Sequence, residues 1–363
     1  VYHRRRSKVE SLEEAAQDMT RKIVWAMNIL IDGHAANRQQ LVSSEDTFLT
    51  ETIKIDRIYQ THAASEGPWL QGDCSMVFLI LSEYLRPAFG VVNEAAAVIC
   101  SLVENEPSIQ NRFITPSLRR SIPRLLAALE ACTDEDEGTN AVMALGNLSN
   151  DDSNVNPDMQ QLIVSCSPAD PHCRCDEDDT ESSFDTYPIG QGGGSFIFPA
   201  LVALLGTERD IDLRQSAVST MRDIVEDSVE LQMVCLQTEG CLDALAGLLS
   251  LKLEDHGSLE DVTVEFMGCV LDVAESAGMA VAVLAQGSIE RVENSQNNQL
   301  NQTTLMDHQG LVARLLDLLD PLTWQQLWDN VVVQHASEET KQEYAETNFR
   351  IQAIELQATA SWA

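Results

Sequence analysis

The sequence is poor in aromatic residues, in basic residues and in long apolar runs. Phe, Trp and Tyr make up 5% of its 363 residues, and 23 Lys and Arg stand against 57 Asp and Glu. The resulting formal net charge of −34 repels phosphates and attracts basic protein segments. We therefore expect no nucleic-acid partner, because neutralising a phosphate backbone needs clustered Lys and Arg.

The apolar runs are too short to cross a membrane. The longest strongly apolar stretches, residues 76–81 and 279–285, fall far short of the roughly 20 residues that a spanning helix needs. Nine cysteines are an odd number, and most of them lie among apolar residues, where a reduced Cys behaves as a small hydrophobe. The sequence thus predicts no membrane span and a reducing compartment, the cytoplasm.

Strand patterns are also scarce, since no stretch alternates apolar and polar residues between turn signals. Helical spacing recurs instead, for example in "NAVMALGNLSND" at residues 140–151. The same apolar skeleton returns at residues 94–105, 216–227 and 265–276. A second skeleton with Leu, Ala and Val three or four residues apart occupies residues 121–131, 198–207, 240–250 and 309–320. Such spacing puts one apolar stripe on each helix.

The repeated skeletons, at a period near 45 residues, resemble the armadillo repeat. The best matches are "AVMALGNLSND" and "MVCLQTEGCLDALAGLLS", and the resemblance covers residues 86–320. It implies an all-α solenoid with three stacked helices per repeat, and HEAT-like stacking is the alternative. Such a fold agrees with the physics of repeats, because no single unit can bury its apolar stripe alone.

One polar position recurs within the first skeleton. It is occupied by Ser101, Asn147, Asp223 and Asp272, at steps of 46, 76 and 49 residues. In armadillo proteins the helix that carries this position lines a concave groove, and in the importin-α type an Asn there holds an extended peptide. A Trp four residues earlier accompanies that Asn, whereas Met143 stands here, so the resemblance does not extend to nuclear import receptors. With Glu226 and Glu275, the positions predict an acidic binding surface.

The remaining segments complete a five-part division of the chain. Residues 1–85 are predicted to form amphipathic helices that cap the solenoid, with an apolar stripe made of Leu12, Ala16, Met19, Ile23, Ala26 and Leu30. Residues 86–165 and 196–320 carry the repeats, and residues 321–363 form a C-terminal helical cap. Residues 166–195, rich in Asp, Ser, Pro and Gly, are predicted to be an exposed insertion. Trp324 and Trp328 are either core residues or anchors for a partner, and core packing is favoured.

No local sequence motif indicates an enzyme or a cofactor site. Cys166, His172, Cys173 and Cys175 lie within ten residues, but a structural zinc site favours a second Cys pair, and a loop with reduced thiols is preferred. The glycines of residues 190–196 lack the Lys-Ser/Thr ending of a phosphate loop. The seven histidines are scattered, without a metalloprotease or hydrolase motif. We expect neither catalysis nor a cofactor or metal.

The sequence therefore predicts a non-enzymatic scaffold whose acidic surface binds a basic segment of a partner protein. The chain is also similar to the armadillo-type small-GTPase dissociation stimulators, which are acidic and bind GTPases with basic tails, so the resemblance implies a small GTPase as partner. Two alternatives stay open. The chain could be a structural subunit that contacts its neighbours through its ends or convex face, or residues 166–175 could form a metal-dependent loop.

Overall fold

The computed structural model describes residues 2–43, 76–86, 89–115, 118–131, 135–151, 154–166, 195–252, 264–286 and 295–327, together with residues 338, 354 and 356–361. The chain forms two compact units, unit 1 (Val1–Gly194) and unit 2 (Ser195–Ala363). Helices make up almost all of the described structure, so the all-α prediction is confirmed. Strand occurs in these residues only as a minimal hairpin of two residues per strand. The predicted five-part division stays a prediction.

Unit 1 contains eight described helices. They are α1 (Tyr2–Ile31), α2 (Ala35–Ser43), α3 (Met76–Tyr84), α4 (Val92–Val103), α5 (Pro107–Gln110), α6 (Ser121–Ala131), α7 (Glu135–Ser149) and α8 (Pro157–Ser165). A 3₁₀ turn, Asn111–Ile114, extends α5. The hairpin strands β1 (Asn150–Asp151) and β2 (Asn154–Val155) pair antiparallel between α7 and α8. Sequence periodicity alone does not indicate so short a hairpin.

Unit 2 contains a further eight described helices. They are α9 (Ile197–Leu204), α10 (Ile211–Val225), α11 (Val229–Leu236), α12 (Cys241–Leu248), α13 (Val264–Gln286), α14 (Ser295–Asp307), α15 (Gln309–Leu319) and α16 (Pro321–Leu327). All of the predicted repeat helices are present, and most lie within about five residues of their expected bounds, whereas the helix expected at residues 265–276 extends to Gln286 as α13. The order is three helices per repeat, as the armadillo resemblance implies.

Within each unit, helices of the same kind stack on one another. In unit 1 the third helices α1, α4 and α7 pack in that order, and in unit 2 α10 packs on α13. The first helices α11 and α14 and the second helices α12 and α15 pair in the same way. Seven of the twelve residues of α4 are buried because it has a neighbour on each side. The repeats therefore share one continuous apolar core within each unit.

Side-chain caps mark where the repeat helices begin. The side chains of Asn156, Ser228 and His308 accept hydrogen bonds from the backbone N–H groups of Met159, Leu231 and Leu311, respectively. Each bond satisfies an N–H group that has no acceptor within its own helix. Between α11 and α12 the chain turns at Gly240, whose φ of 78° lies in the left-handed region that glycine tolerates best. These local signals define where the helices begin, without any contribution from packing in the apolar core.

The apolar stripe of α1 does not form the face that packs on α4. Val24 and Ile31 are buried in the core, whereas Met19, Ile23 and Leu30 of the predicted stripe are 62%, 54% and 62% exposed. These three residues of the predicted stripe therefore lie outside the apolar core. Arg21 helps to fix the observed orientation, because its guanidinium bonds the carbonyl of Gly90 and pairs with Glu94. Leu12 and Ala16 have side chains outside the described residues.

Two further expectations concern apolar segments. One described helix segment, Gly268–Gln286, has the length and composition of a membrane span, but 61% of it is buried inside the protein. Burial of this kind is typical of a core helix. Trp324 is 5% exposed, and its indole N–H donates to the carbonyl of Leu318 at 2.8 Å, so its prediction as a core residue is confirmed. Trp328 lies outside the described residues.

Candidate functional site

The predicted binding residues of unit 1 lie on α4 and α7 and are engaged by neighbouring helices. The amide Nδ2 of Asn147 donates to the carbonyl oxygen of Cys100 and lies at the same 3.3 Å distance from its Sγ. The hydroxyl of Ser101 donates to Oδ1 of Asn28 on α1 at 2.8 Å. At these two positions the third helices of unit 1 are thus joined by neutral side chains. The sequence analysis did not identify Asn28 as the partner of Ser101, because this contact joins helices that are 73 residues apart in the chain.

An arginine of α2 makes further hydrogen bonds to α4 beside Ser101. Arg38, 7% exposed, donates to the carbonyl of Ser101 at 3.0 Å and to the carboxylate of Glu104 at 2.8 Å. Burial and the negative charges of Glu104 and Asp32 raise the pKa of the Cys100 thiol to about 12. Cys100 therefore stays protonated at neutral pH and is unsuited to nucleophilic or metal-binding chemistry. The row on unit 1 holds helices together and carries little charge of its own.

A buried glutamine donates a hydrogen bond to the backbone of Asn147. Nε2 of Gln110, at the end of α5, donates to the carbonyls of Val103 at 3.1 Å and of Asn147 at 2.7 Å. Gln160 and Gln232 likewise follow directly after a large apolar residue. All three glutamines are 1% exposed. Nε2 of Gln232 donates to the carbonyl of Val225 at 3.3 Å. The sequence analysis missed these residues, although the recurring apolar-Gln pair at 109–110, 159–160 and 231–232 was a usable signal.

The predicted residues of unit 2 form a row of a different character on α10 and α13. Asp223 is paired with its neighbour Arg222, whose Nη2 lies 2.7 Å from Oδ1, and the Asp223 side chain is only 16% exposed. Asp272 and Glu275, at the matching places of α13, are exposed, whereas Glu226 is half-buried. Desolvation by the surrounding chain raises the pKa of Asp272 above its ordinary value. The negative charge that faces water in this row is therefore concentrated on α13.

The described residues do not bring together a catalytic or metal-binding set. No three His, Cys, Asp or Glu side chains cluster as metal ligands would in the part of the chain that the structure describes. Of the predicted alternative, Cys166 is half-buried, whereas His172, Cys173 and Cys175 lie outside the described residues. The metal-loop alternative therefore stays a prediction.

A second charged cluster, between α3 and α6, is structural. Arg124 is 6% exposed and donates to the carbonyl and hydroxyl of Ser82 and to Glu83. Burial by itself would raise the pKa of Glu83, but the charge of Arg124 and the hydrogen bonds from Arg86 and Arg124 outweigh it, so this pKa lies below its ordinary value. The cluster joins two second helices.

Comparisons with known proteins give structural similarity only. No protein-family model matches the chain, and no curated protein matches it. Similar solved structures include the designed armadillo repeat protein YIII(Dq)4CqI, with a TM-score of 0.40 and 14% identity over 78% of this chain and 99% of that one. A second is an engineered protein, Northeast Structural Genomics Consortium target OR329, with a TM-score of 0.45 and 15% identity over 93% and 96%.

A third similar structure is the designed armadillo repeat protein YIII(Dq.V1)4CPAF in complex with the peptide (KR)4. Its TM-score is 0.39, with 14% identity over 79% of this chain and 100% of that one. At such low TM-scores, the armadillo-like fold rests on the three-helix repeats of the chain itself. The helix order and the stacking of third helices within each unit are sufficient for that conclusion.

Proposed function

We propose that the protein is a non-enzymatic scaffold that binds a basic segment of a partner protein on the third helices of unit 2. The observation that carries the proposal is the exposed pair Asp272 and Glu275 on α13, matched by Asp223 on the adjoining α10 and by Glu226, which directly follows α10. Residues three apart lie on the same face of a helix, so Asp272 and Glu275 present their carboxylates together. Ser101 and Asn147 are proposed to contribute on unit 1.

The spacing of the two carboxylate pairs fits an extended chain. Packed helices lie about 8–10 Å apart, and an extended segment advances about 3.3 Å per residue. Basic residues two or three positions apart in a partner could therefore reach α10 and α13 in turn. The chain's net charge would also speed the encounter with such a segment.

The partner that we favour is a small GTPase with a basic tail, met in the cytoplasm. This choice rests on the sequence resemblance to the small-GTPase dissociation stimulators, and the acidic row supplies a surface that suits such a tail. We expect the chain to bind the GTPase and to accelerate nucleotide release only when the tail is present. Nucleotide release by GTPases with and without the tail measures this, and tail-independent binding would contradict the tail as the recognised element.

A labelled basic peptide tests the surface itself. Fluorescence anisotropy with an octapeptide of alternating Lys and Arg should show about tenfold or greater loss of affinity in Asp272→Lys/Glu275→Lys, since repulsion replaces attraction at the contact. Glu230→Lys/Glu239→Lys is the matched control, because it changes the charge equally at exposed positions of unit 2 outside the third helices. Equal losses in the two variants would show that net charge, and not this row, governs binding.

A second candidate function is supported by α1. The face of α1 that is turned away from α4 exposes Met19, Ile23, Trp25, Ile29 and Leu30 by 53–62%. Monomeric proteins seldom leave such a patch uncovered, and the 4-3-4 spacing of residues 19, 23, 26 and 30 suits an apolar helix of a neighbouring subunit. The protein would then be a structural subunit that contacts its neighbours through this end.

The two candidates can be separated by disrupting the α1 face. Ile23→Glu should remove the chain from a co-purifying assembly, whereas Leu316→Glu should not. Leu316 is a suitable control because it is 61% exposed and lies in unit 2. Retention of Ile23→Glu in the assembly would exclude this face as the contact, and binding of the basic peptide should be unaltered in either variant.

A further inference from the structure

Two cysteines in unit 2 lie within reach of each other. Sγ of Cys235, in the last turn of α11, and Sγ of Cys241, the first residue of α12, are 3.7 Å apart. Both residues are free thiols with no exposed surface. A disulfide needs the two sulfurs about 2.05 Å apart. A small change of side-chain rotamer could therefore bring them to bonding distance.

The backbone between the two cysteines holds them in this relation. The N–H of Thr238 donates to the carbonyl of Cys235 at 3.0 Å, and the N–H of Cys241 donates to the carbonyl of Thr238 at 3.1 Å. Gly240 completes the turn with φ of 78°. Two successive tight turns thus bring the end of α11 to the start of α12. Because the chain arranges the thiols beforehand, reaction between them has a high effective concentration.

Cys100 is a useful contrast to this pair. It is also buried, but its sulfur lies beside the amide of Asn147. Cys235 instead has a thiol as its neighbour, and the hydrogen bond with Cys241, together with burial, raises its pKa well above the ordinary value. Reaction at Cys235 is accordingly slow until the turn opens. Gln237, Glu239 and Gly240 of that turn are exposed, so a local opening exposes the sulfurs without unfolding the unit.

We propose that Cys235 and Cys241 are a redox-sensitive pair, which a low-molecular-weight disulfide such as oxidised glutathione converts into an intramolecular disulfide joining α11 to α12. In the first step a thiolate of the pair attacks one sulfur of the small disulfide, whose S–S bond breaks and releases one small thiol. In the second step the remaining thiolate attacks the protein sulfur of the mixed disulfide and releases the other small thiol. Two protein thiols are oxidised, one small disulfide is reduced, and the two protons leave on the released thiols.

The disulfide would stiffen one repeat of unit 2 beside the third helix α13, against which α11 and α12 pack. Hydrogen exchange of peptides from residues 229–248 should become slower in the oxidised protein. The enclosed loop is short, so the stabilisation expected from constraining the unfolded chain is small, with a rise in Tm of about 3–8 °C. This proposal does not depend on the identity of any partner.

The experiment uses the reduced full chain, incubated under native conditions with oxidised glutathione, then alkylated, digested and analysed by mass spectrometry without reduction. The expected product is a peptide in which Cys235 and Cys241 have lost two hydrogens and resist alkylation. Cys100→Ala should form it as the wild type does, whereas Cys241→Ser should give only a glutathione adduct or a free thiol at Cys235. Recovery of both thiols from the wild type, or glutathione adducts without the 235–241 disulfide, would overturn the proposal.

Discussion

The third helices of the two units use the same repeat position in opposite ways. In unit 1 the amide of Asn147 donates to the backbone of the preceding third helix, and Ser101 bonds Asn28. In unit 2 Asp223 turns to Arg222 on its own helix, and Asp272 is exposed. An amide can donate to a neighbouring carbonyl, whereas a carboxylate at neutral pH only accepts. One chemical difference thus separates a position that joins helices from one that carries charge.

The largest difference between the units should appear when the buried glutamines are replaced. Gln110→Met removes a buried side-chain donor from the carbonyls of Val103 and Asn147, and the free energy of unfolding should fall by about 2–4 kcal/mol. Gln232→Met removes one long bond and also an Oε1 that is buried without a partner, so it should cost less than about 1 kcal/mol. Urea unfolding of the two variants measures this. Equal losses would show that the glutamines act through packing alone.

Exchanging the polar residues between the units should give the next largest effect. Asn147→Asp replaces a donor by a carboxylate facing the carbonyl of Cys100, and should lower the free energy of unfolding by about 1–3 kcal/mol. The reverse change, Asp223→Asn, weakens a pair between adjacent residues and should cost about 1 kcal/mol or less. Urea unfolding curves of both variants provide the comparison. A larger loss in Asp223→Asn would contradict the division of roles.

Replacing Arg222 should increase the affinity of unit 2 for a basic peptide. Arg222→Gln leaves the Asp223 carboxylate without its paired charge, and affinity for the basic octapeptide should rise about two- to fivefold. Arg314→Gln makes the same charge change beside Asp317, on the second helix α15, and should have little effect. Anisotropy titrations of the two variants decide whether Asp223 belongs to the binding surface. Equal increases would assign the effect to net charge.

The smallest expected effect concerns pH and Asp272. Because the folded protein raises this pKa, the carboxyl favours folding when protonated. Its stability contribution is full below the ordinary pKa and is lost as pH rises through the raised value. Asp272→Asn should therefore raise Tm at pH 7 by less than about 2 °C, since the side chain remains in contact with water. Thermal unfolding from pH 7 to pH 4 should show this advantage shrinking. A constant difference would exclude titration as its cause.

Much of the fold could be predicted from local patterns. The apolar spacing of residues 121–131 coincides with α6, and the skeleton at residues 309–320 gives α15 to within one residue. The recurring polar position was also visible, because it falls at a constant place within the repeated apolar skeleton. Such periodicity depends only on the geometry of a single helix. It needs no knowledge of what lies next to that helix.

Other features could not be predicted because they depend on contacts between distant residues. The stripe through Met19, Ile23 and Leu30 satisfies helical periodicity, but Val24 and Ile31 are buried in the core instead. Asn147 and Asp223 occupy equivalent sites in the sequence, and nothing in their spacing distinguishes an engaged amide from a carboxylate paired within its helix. The proximity of Cys235 and Cys241 likewise requires the two turns around Thr238.

The sequence by itself determined the helices, their three-helix order, the acidic charge and the repeated polar position. Those properties follow from residue spacing and composition, which are local or additive along the chain. Only the tertiary structure decided which face of α1 is buried, which polar side chains join neighbouring helices and where negative charge remains in contact with water. The physical reason is that burial and hydrogen-bond pairing arise between elements far apart in sequence, so the same local pattern can lead to different surroundings.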